Sequence, residues 1–334
     1  MVAFGVFGVL GFLERGAGTN DWGLLLLQAG TPVLLLLNRD RATIIKSLGI
    51  FCIIFATTDA IANIGALAGL WQLASAGGRY GDFGERIARF GGLTGNSLAS
   101  GFVALVAVAV GASWLRRSRP PFQLIIGILW LFAIVFSVEL ADARRYLGGI
   151  AVTAVLIFMP WGRFVSLPLV SLALGLGGII LTFHAIDPEN VQRADLMADG
   201  WRDAESHIWL GQGVEYRAAP SGSDFNSLWA AHVTESGLLE LAIAYGWVST
   251  ALLIISTFLA LASKHRELTW YSVLLAVMTG EIAYTGVING FLGAILFFGS
   301  LIHIIFDEAP LTSAFSARST TSGYVARPAR SGGS

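Results

Sequence analysis

Apolar residues in this chain fall in long, nearly unbroken blocks, separated by short polar intervals. A helical membrane crossing needs about 20 mostly apolar residues, fewer where flanking polar groups reach the interface. Ten blocks qualify: residues 3–13, 22–37, 47–73, 97–115, 122–138, 146–159, 164–183, 235–262, 270–288 and 291–306. The pattern predicts an all-α polytopic membrane protein with about ten transmembrane helices and one long outer loop. That loop, residues 184–231, mixes charges, glycines and three tryptophans, Trp201, Trp209 and Trp229. A segment of this length without obvious periodicity is functional or disordered, and the tryptophans favour function. The chain thus divides into residues 1–183 with seven helices, the 184–231 loop, residues 232–306 with three more helices, and a tail, 307–334. The tail is mostly Ser, Thr, Gly and Arg and is expected to be disordered.

Composition agrees with the pattern. Hydrophobic residues make up 55% of the 334 and charged ones 13%, about half the charged share of a soluble chain. The mean hydropathy is +0.69. Nucleic-acid binding has no support. Cys52 is the lone cysteine, which excludes an intrachain disulfide and a thiolate metal cluster. Residues 1–13 lack a basic start and a small-residue cleavage site, so a cleaved signal peptide is not expected.

Charge orients the helices. Arg39, Arg41 and Lys46 follow the second block, Arg116, Arg117 and Arg119 the fourth, Arg163 the sixth, and Lys264 and Arg266 the eighth. Basic residues are retained on the cytoplasmic side, so this alternation predicts both termini inside and the 184–231 loop outside. Nine of the 21 Lys and Arg then fall outside, and all nine are Arg. Arginine suits planar, bidentate recognition of phosphate or carboxylate. Arg15, Arg79 and Arg86 are expected to meet headgroups or nearby acids. Arg89, Arg144, Arg145, Arg193 and Arg217 are the candidates for anion binding. The loop carries eight acids against three arginines, so any anion site there is local rather than a product of net charge.

His232 stands at the entrance to the eighth block, with Glu235 and Ser236 at i+3 and i+4. It can cap the helix, or act as a general base toward a hydroxyl. His184 and His207 are read as structural. No His-x-x-x-His or Glu-x-x-His pair occurs in the outer loops, and no metal site is expected. Asp59 with Asn63, and Glu281 with Tyr284, are polar pairs at helical spacing inside apolar blocks. Intramembrane carboxylates are costly and mark functional sites or helix–helix hydrogen bonds.

Four motifs, in order, resemble those of the O-antigen ligase and polysaccharide polymerase family of bacterial inner-membrane glycosyltransferases. RFGGLTGNSLA at 89–99 is similar to the family's Arg, Gly, then Asn-x-Leu-Ala opening a helix. ARRYL at 143–147 is similar to its Ser-Arg before an apolar helix, with Ala143 in the serine place and Arg144 or Arg145 in the arginine place. Residues 193–213 resemble Arg-x-x-x-Trp followed by Pro-x-x-Gly-x-Gly. They keep Arg193, Gly211 and Gly213, with Met197 in the tryptophan place and Ile208 in the proline place. HVTESGLLELAIAYG at 232–246 resembles His-Asn-x-x-Leu with a later glycine, with Val233 in the asparagine place and Ser236 in the leucine place.

The resemblance implies a fold like that of C-type glycosyltransferases and a metal-independent, cofactor-free inverting transfer. A glycan moves from an undecaprenyl diphosphate carrier to an acceptor hydroxyl, with the site facing the periplasm. It implies that Arg144 or Arg145, Arg193 and Arg89 hold the diphosphate, joined by Arg217 from the outer-arginine pattern, and that His232 is the base, supported by Glu235, Gly211 and Gly213. An exopolysaccharide or O-antigen polymerase is favoured by the modest loop. A ligase acting on lipid A core, or a flippase for the same lipid, are the alternatives.

Overall fold

A computed structural model describes residues 30–38, 40–71, 75–80, 86–90, 93, 97–117, 121–141, 143, 145–158, 165–184, 188–206, 208–211, 236–263, 269–286 and 291–306. For 75–80, 86–90, 97, 98, 117, 121, 188–193 and 291 it describes the backbone alone.

Eleven helices run through the described residues: α1 Thr31–Leu37, α2 Arg41–Leu67, α3 Ser97–Arg117, α4 Pro121–Leu140, α5 Arg145–Phe158, α6 Leu167–His184, α7 Pro188–Glu205, α8 Gly237–Tyr245, α9 Trp247–Ala262, α10 Trp270–Glu281 and α11 Phe291–Phe306. Proline opens α4 and α7, where its missing N–H costs nothing. Between α2 and α3, in the interval between the third and fourth apolar blocks, the strands β1 Ser75–Tyr80 and β2 Arg86–Phe90 pair antiparallel.

α2, α3, α4 and α6 are long and apolar enough to cross a membrane. Among the described residues these four are the helices that meet that measure. α5, α9 and α11 are apolar but shorter. α3 is mostly buried, whereas α4 and α6 are mostly exposed. α3 is therefore the central post, and α4 and α6 present Phe122, Phe132, Leu169 and Leu181 outward. Exposed apolar residues in such number belong to a lipid-facing surface rather than a water-facing one.

Contacts between particular residues set the helix directions. Gly49 of α2 lies against Val110 of α3, while ten residues up α2 the Asp59 carboxylate accepts a hydrogen bond from Ser100. These two helices are antiparallel. α4 reverses again: Trp130 packs on Gly111 and donates its indole N–H to Thr57 Oγ1 at 2.8 Å, and Asn63 Nδ2 donates to Ser137 Oγ at 2.8 Å. α5 runs with α3, because Tyr146 near its start packs on Gly101 and Phe102 near the start of α3. α6 and α10 are parallel. Ser171 Oγ donates to the Ala276 carbonyl at 2.7 Å, Gly175 faces the Gly280 backbone, and Gly178 faces the Tyr284 ring. α11 returns beside α10, with the His303 and Tyr271 rings edge-on at 4.7 Å. The helix ends thus sort into two groups, and the starts of α3 and α5 share one end with the terminus of α10.

Two expectations change. The apolar block 235–262 is not one helix: Gly246, at φ +84, breaks it into α8 and α9. That left-handed backbone is open to glycine and strained for other residues. The 184–231 stretch, read as a loop, contains the 18-residue helix α7. Met197, Gly200 and Ala204 form its buried face at helical spacing, and its abundant acids cover the others.

Candidate functional site

α7 lies against α8. Met197 and Ala204 are buried with Leu239, Ala242 and Ile243, and Trp247 packs on the edge of this cluster. The Trp201 and Trp247 rings meet at 5.3 Å. On the solvent face of α7, Arg202 pairs with Asp199 at 2.7 Å, and Trp201 donates its indole N–H to Glu205.

Past the end of α7, residues 208–211 cross the break between α8 and α9. The Val248 amide donates to the Ile208 carbonyl at 3.1 Å, and the Trp209 carbonyl lies over Gly246. Gly211 rests directly on the backbone of Ala244 and Tyr245, where any Cβ would overlap them. Its conservative role here is therefore close backbone approach, of the kind that glycine alone allows.

The start of α8 is held from the other side by the end of α10. Ser236 caps α8 and donates its Oγ to the Ala283 carbonyl at 2.7 Å. The Gly237 amide donates to the Thr285 carbonyl at 3.0 Å, and the Leu238 amide to the Ile282 carbonyl at 2.9 Å. These three bonds come from a helix N-terminus whose first amides need outside partners or caps. They fix the segment that immediately follows the His232 and Glu235 positions.

Arg145 is the first residue of α5 and half-buried. A cation at a helix N-terminus opposes the macrodipole, so its place there is not explained by helix stability. Its neighbour Tyr146 is buried, and one turn on, Gly149 receives the Glu281 carboxyl group. Both Tyr146 and Tyr284 are in electrostatic reach of Glu281 and of Arg145.

Of the sequence candidates, Arg145 and Gly211 are described in full. Arg193 lies on α7, one turn before the buried Met197, and Arg89 on β2, both as backbone. Arg144, Arg217, His232, Glu235, Gly213 and His207 lie outside the described residues. The structure brings Met197, Ala204 and residues 208–211 onto α8 and the break that follows it. It also brings the starts of α3 and α5 to the end of α10, on which α8 is seated. It does not bring Asp59 and Asn63 together: Asp59 accepts from the Leu93 amide at 2.6 Å and from Ser100, whereas Asn63 bonds Ser137. Tyr146 was not singled out in the sequence, where it reads as an ordinary aromatic at a helix start.

Among the described residues, no group of three His, Cys, Asp or Glu could hold a metal ion. Comparison with protein-family models, with curated proteins and with solved structures finds no match to this chain.

Proposed function

We propose that this chain is a membrane glycosyltransferase that moves a glycan from an undecaprenyl diphosphate carrier to an acceptor hydroxyl. A polysaccharide polymerase is favoured, and a ligase acting on lipid A core is the alternative. The observation that supports the reading best is the seating of Met197, Ala204 and residues 208–211 on α8 and the Gly246 break, which puts segments of two family-like motifs in contact. On this reading the chain crosses a bacterial inner membrane about ten times, with both termini cytoplasmic and the α7 side periplasmic.

Chemically, the acceptor oxygen attacks the anomeric carbon as the bond from that carbon to the diphosphate oxygen breaks, with inversion. Arg144 or Arg145, Arg193 and Arg217, with Arg89, stabilise the charge that gathers on the departing diphosphate, which then needs no acid. His232 takes the hydroxyl proton, and Glu235 orients it. Gly211 contributes by letting the 208–211 segment seat.

A flippase reading is favoured by one observation, the helix broken at Gly246, since discontinuous helices recur at transporter sites. Single-turnover transfer by the purified protein, with saturating lipid-linked glycan, separates the two. Wild type transfers glycan, and His232→Ala keeps donor affinity while its rate falls about a hundredfold to ten-thousandfold. No transfer, together with movement of the lipid across liposomes, selects the flippase.

A further inference from the structure

Among the described residues, two carboxyl groups lie inside the helical body, and the fold treats them differently. Asp59 is 3% exposed, and both of its oxygens receive hydrogen bonds, from the Leu93 amide and the Ser100 hydroxyl. Both acceptor oxygens of Asp59 are thereby satisfied inside the protein. Glu281 is 0% exposed, and neither of its oxygens has a hydrogen-bond partner among the described residues.

The surroundings of Glu281 restrict what can answer its charge. One oxygen rests on the backbone of Gly149, with Val277 beside it, and a side chain at position 149 would overlap the carboxyl group. The groups that face it from its neighbours are few. α5 contributes Tyr146 and, at its first residue, Arg145; Tyr284 follows on its own chain. α6 ends at exposed His184, and α8 carries Glu240. The basic residues of α3 and His303 of α11 lie at the opposite end of the bundle, and α9 carries no titratable residue. No described cluster supplies the several oxygens that a metal cation takes. The ligand that fits a lone carboxyl group wedged against a glycine backbone is a proton.

We propose that Glu281 is a proton-binding site, exchanging through the end of the bundle where α8 is seated. Glu281 is the last residue of α10, and residues 282, 283 and 285 accept the three hydrogen bonds that hold the start of α8. With the proton bound, the neutral carboxyl group packs against Gly149. With the proton released, a bare charge faces Val277 and the glycine backbone, and an unpaired charge in that setting is expelled toward water. The end of α10 then shifts, and the α8 joint loosens with it. This inference does not depend on the transfer reaction.

The test is made on the whole protein in lipid nanodiscs. Infrared difference spectra across a pH titration report protonated carboxyl groups, and hydrogen exchange reports the amides of residues 236–239 and 282–285 after correction for intrinsic pH effects. Wild type should show one buried carboxyl band that is absent from Glu281→Gln and unaffected by Asp59→Asn. As that band fades with rising pH, joint amides should exchange about tenfold faster. In Glu281→Gln the joint should stay protected at every pH. If Glu281→Gln does not fold, Glu281→Met, of similar volume, provides the same comparison. A spectrum with no band removed by either substitution overturns the proposal, as does a pH dependence of the joint that survives in both.

Discussion

Substituting Gly211 by alanine tests how the 208–211 segment is seated. The new methyl group would overlap the Ala244 carbonyl and the Tyr245 nitrogen, and both are backbone atoms of a packed helix that cannot swing aside. The segment has to lift instead. Overpacking of this kind costs about 1–3 kcal/mol, and the Val248 to Ile208 hydrogen bond, worth about 1 kcal/mol, goes with it. We expect local opening to become about 2–4 kcal/mol easier, roughly 30- to 700-fold in population. Hydrogen exchange at the Val248 amide and along residues 197–205 should accelerate by that factor, while α3 and α11 stay protected. Gly177→Ala is the control, since a Cβ there meets nothing within 4 Å, and it should leave exchange unchanged. Unaltered protection at Val248 in Gly211→Ala would refute the seating, and with it the contact between the two motif segments.

Two further outcomes bear on the proposed function. Arg193→Lys should lose donor affinity nearly as far as Arg193→Ala, because an ammonium keeps the charge and gives up the bidentate fork; isothermal titration with the lipid-linked donor measures this, and wild-type affinity in the lysine variant would reduce Arg193 to general electrostatics. In a Cys52→Ser background, which removes the one buried thiol, cysteines at Ser223 and Thr320 should react from opposite sides of the membrane with an impermeant reagent, and labelling of both from outside would remove the site assignment.

Block hydrophobicity was enough to locate the helices of the body, because a helix in lipid carries its signal in composition alone. It could not locate the break at Gly246: every residue around it is apolar, and what ends α8 is a backbone angle. α7 was hidden for the opposite reason. Its buried face is built from Met197, Gly200 and Ala204, residues too small or too few to stand out among its acids. The partners of Asp59 and Asn63 lie 41 and 74 residues away, and the i+4 spacing that makes them look like a pair describes only their shared helix face. The motif spacing predicts which segments belong to a site, and the structure brings Met197, Ala204 and residues 208–211 onto α8 and the break that follows it, a relation that no local pattern encodes.

The parallel contact between α6 and α10 has a consequence for how the protein is made. Ser171 finds its acceptor in a neighbouring helix 105 residues later, and the glycine face around Gly175 and Gly178 is filled by residues of that late helix and of the turn that follows it. At ordinary rates of synthesis, about 5–20 residues per second, α6 is complete about 5–20 s before its partner exists. During that interval a narrow helix face of glycines lacks its partner, and the Ser171 hydroxyl has only the Leu167 carbonyl of its own helix to donate to. α10 closes it only after α7, α8 and α9 have been synthesised, so the body of the bundle and the seat for α8 are completed together, by the same late helix.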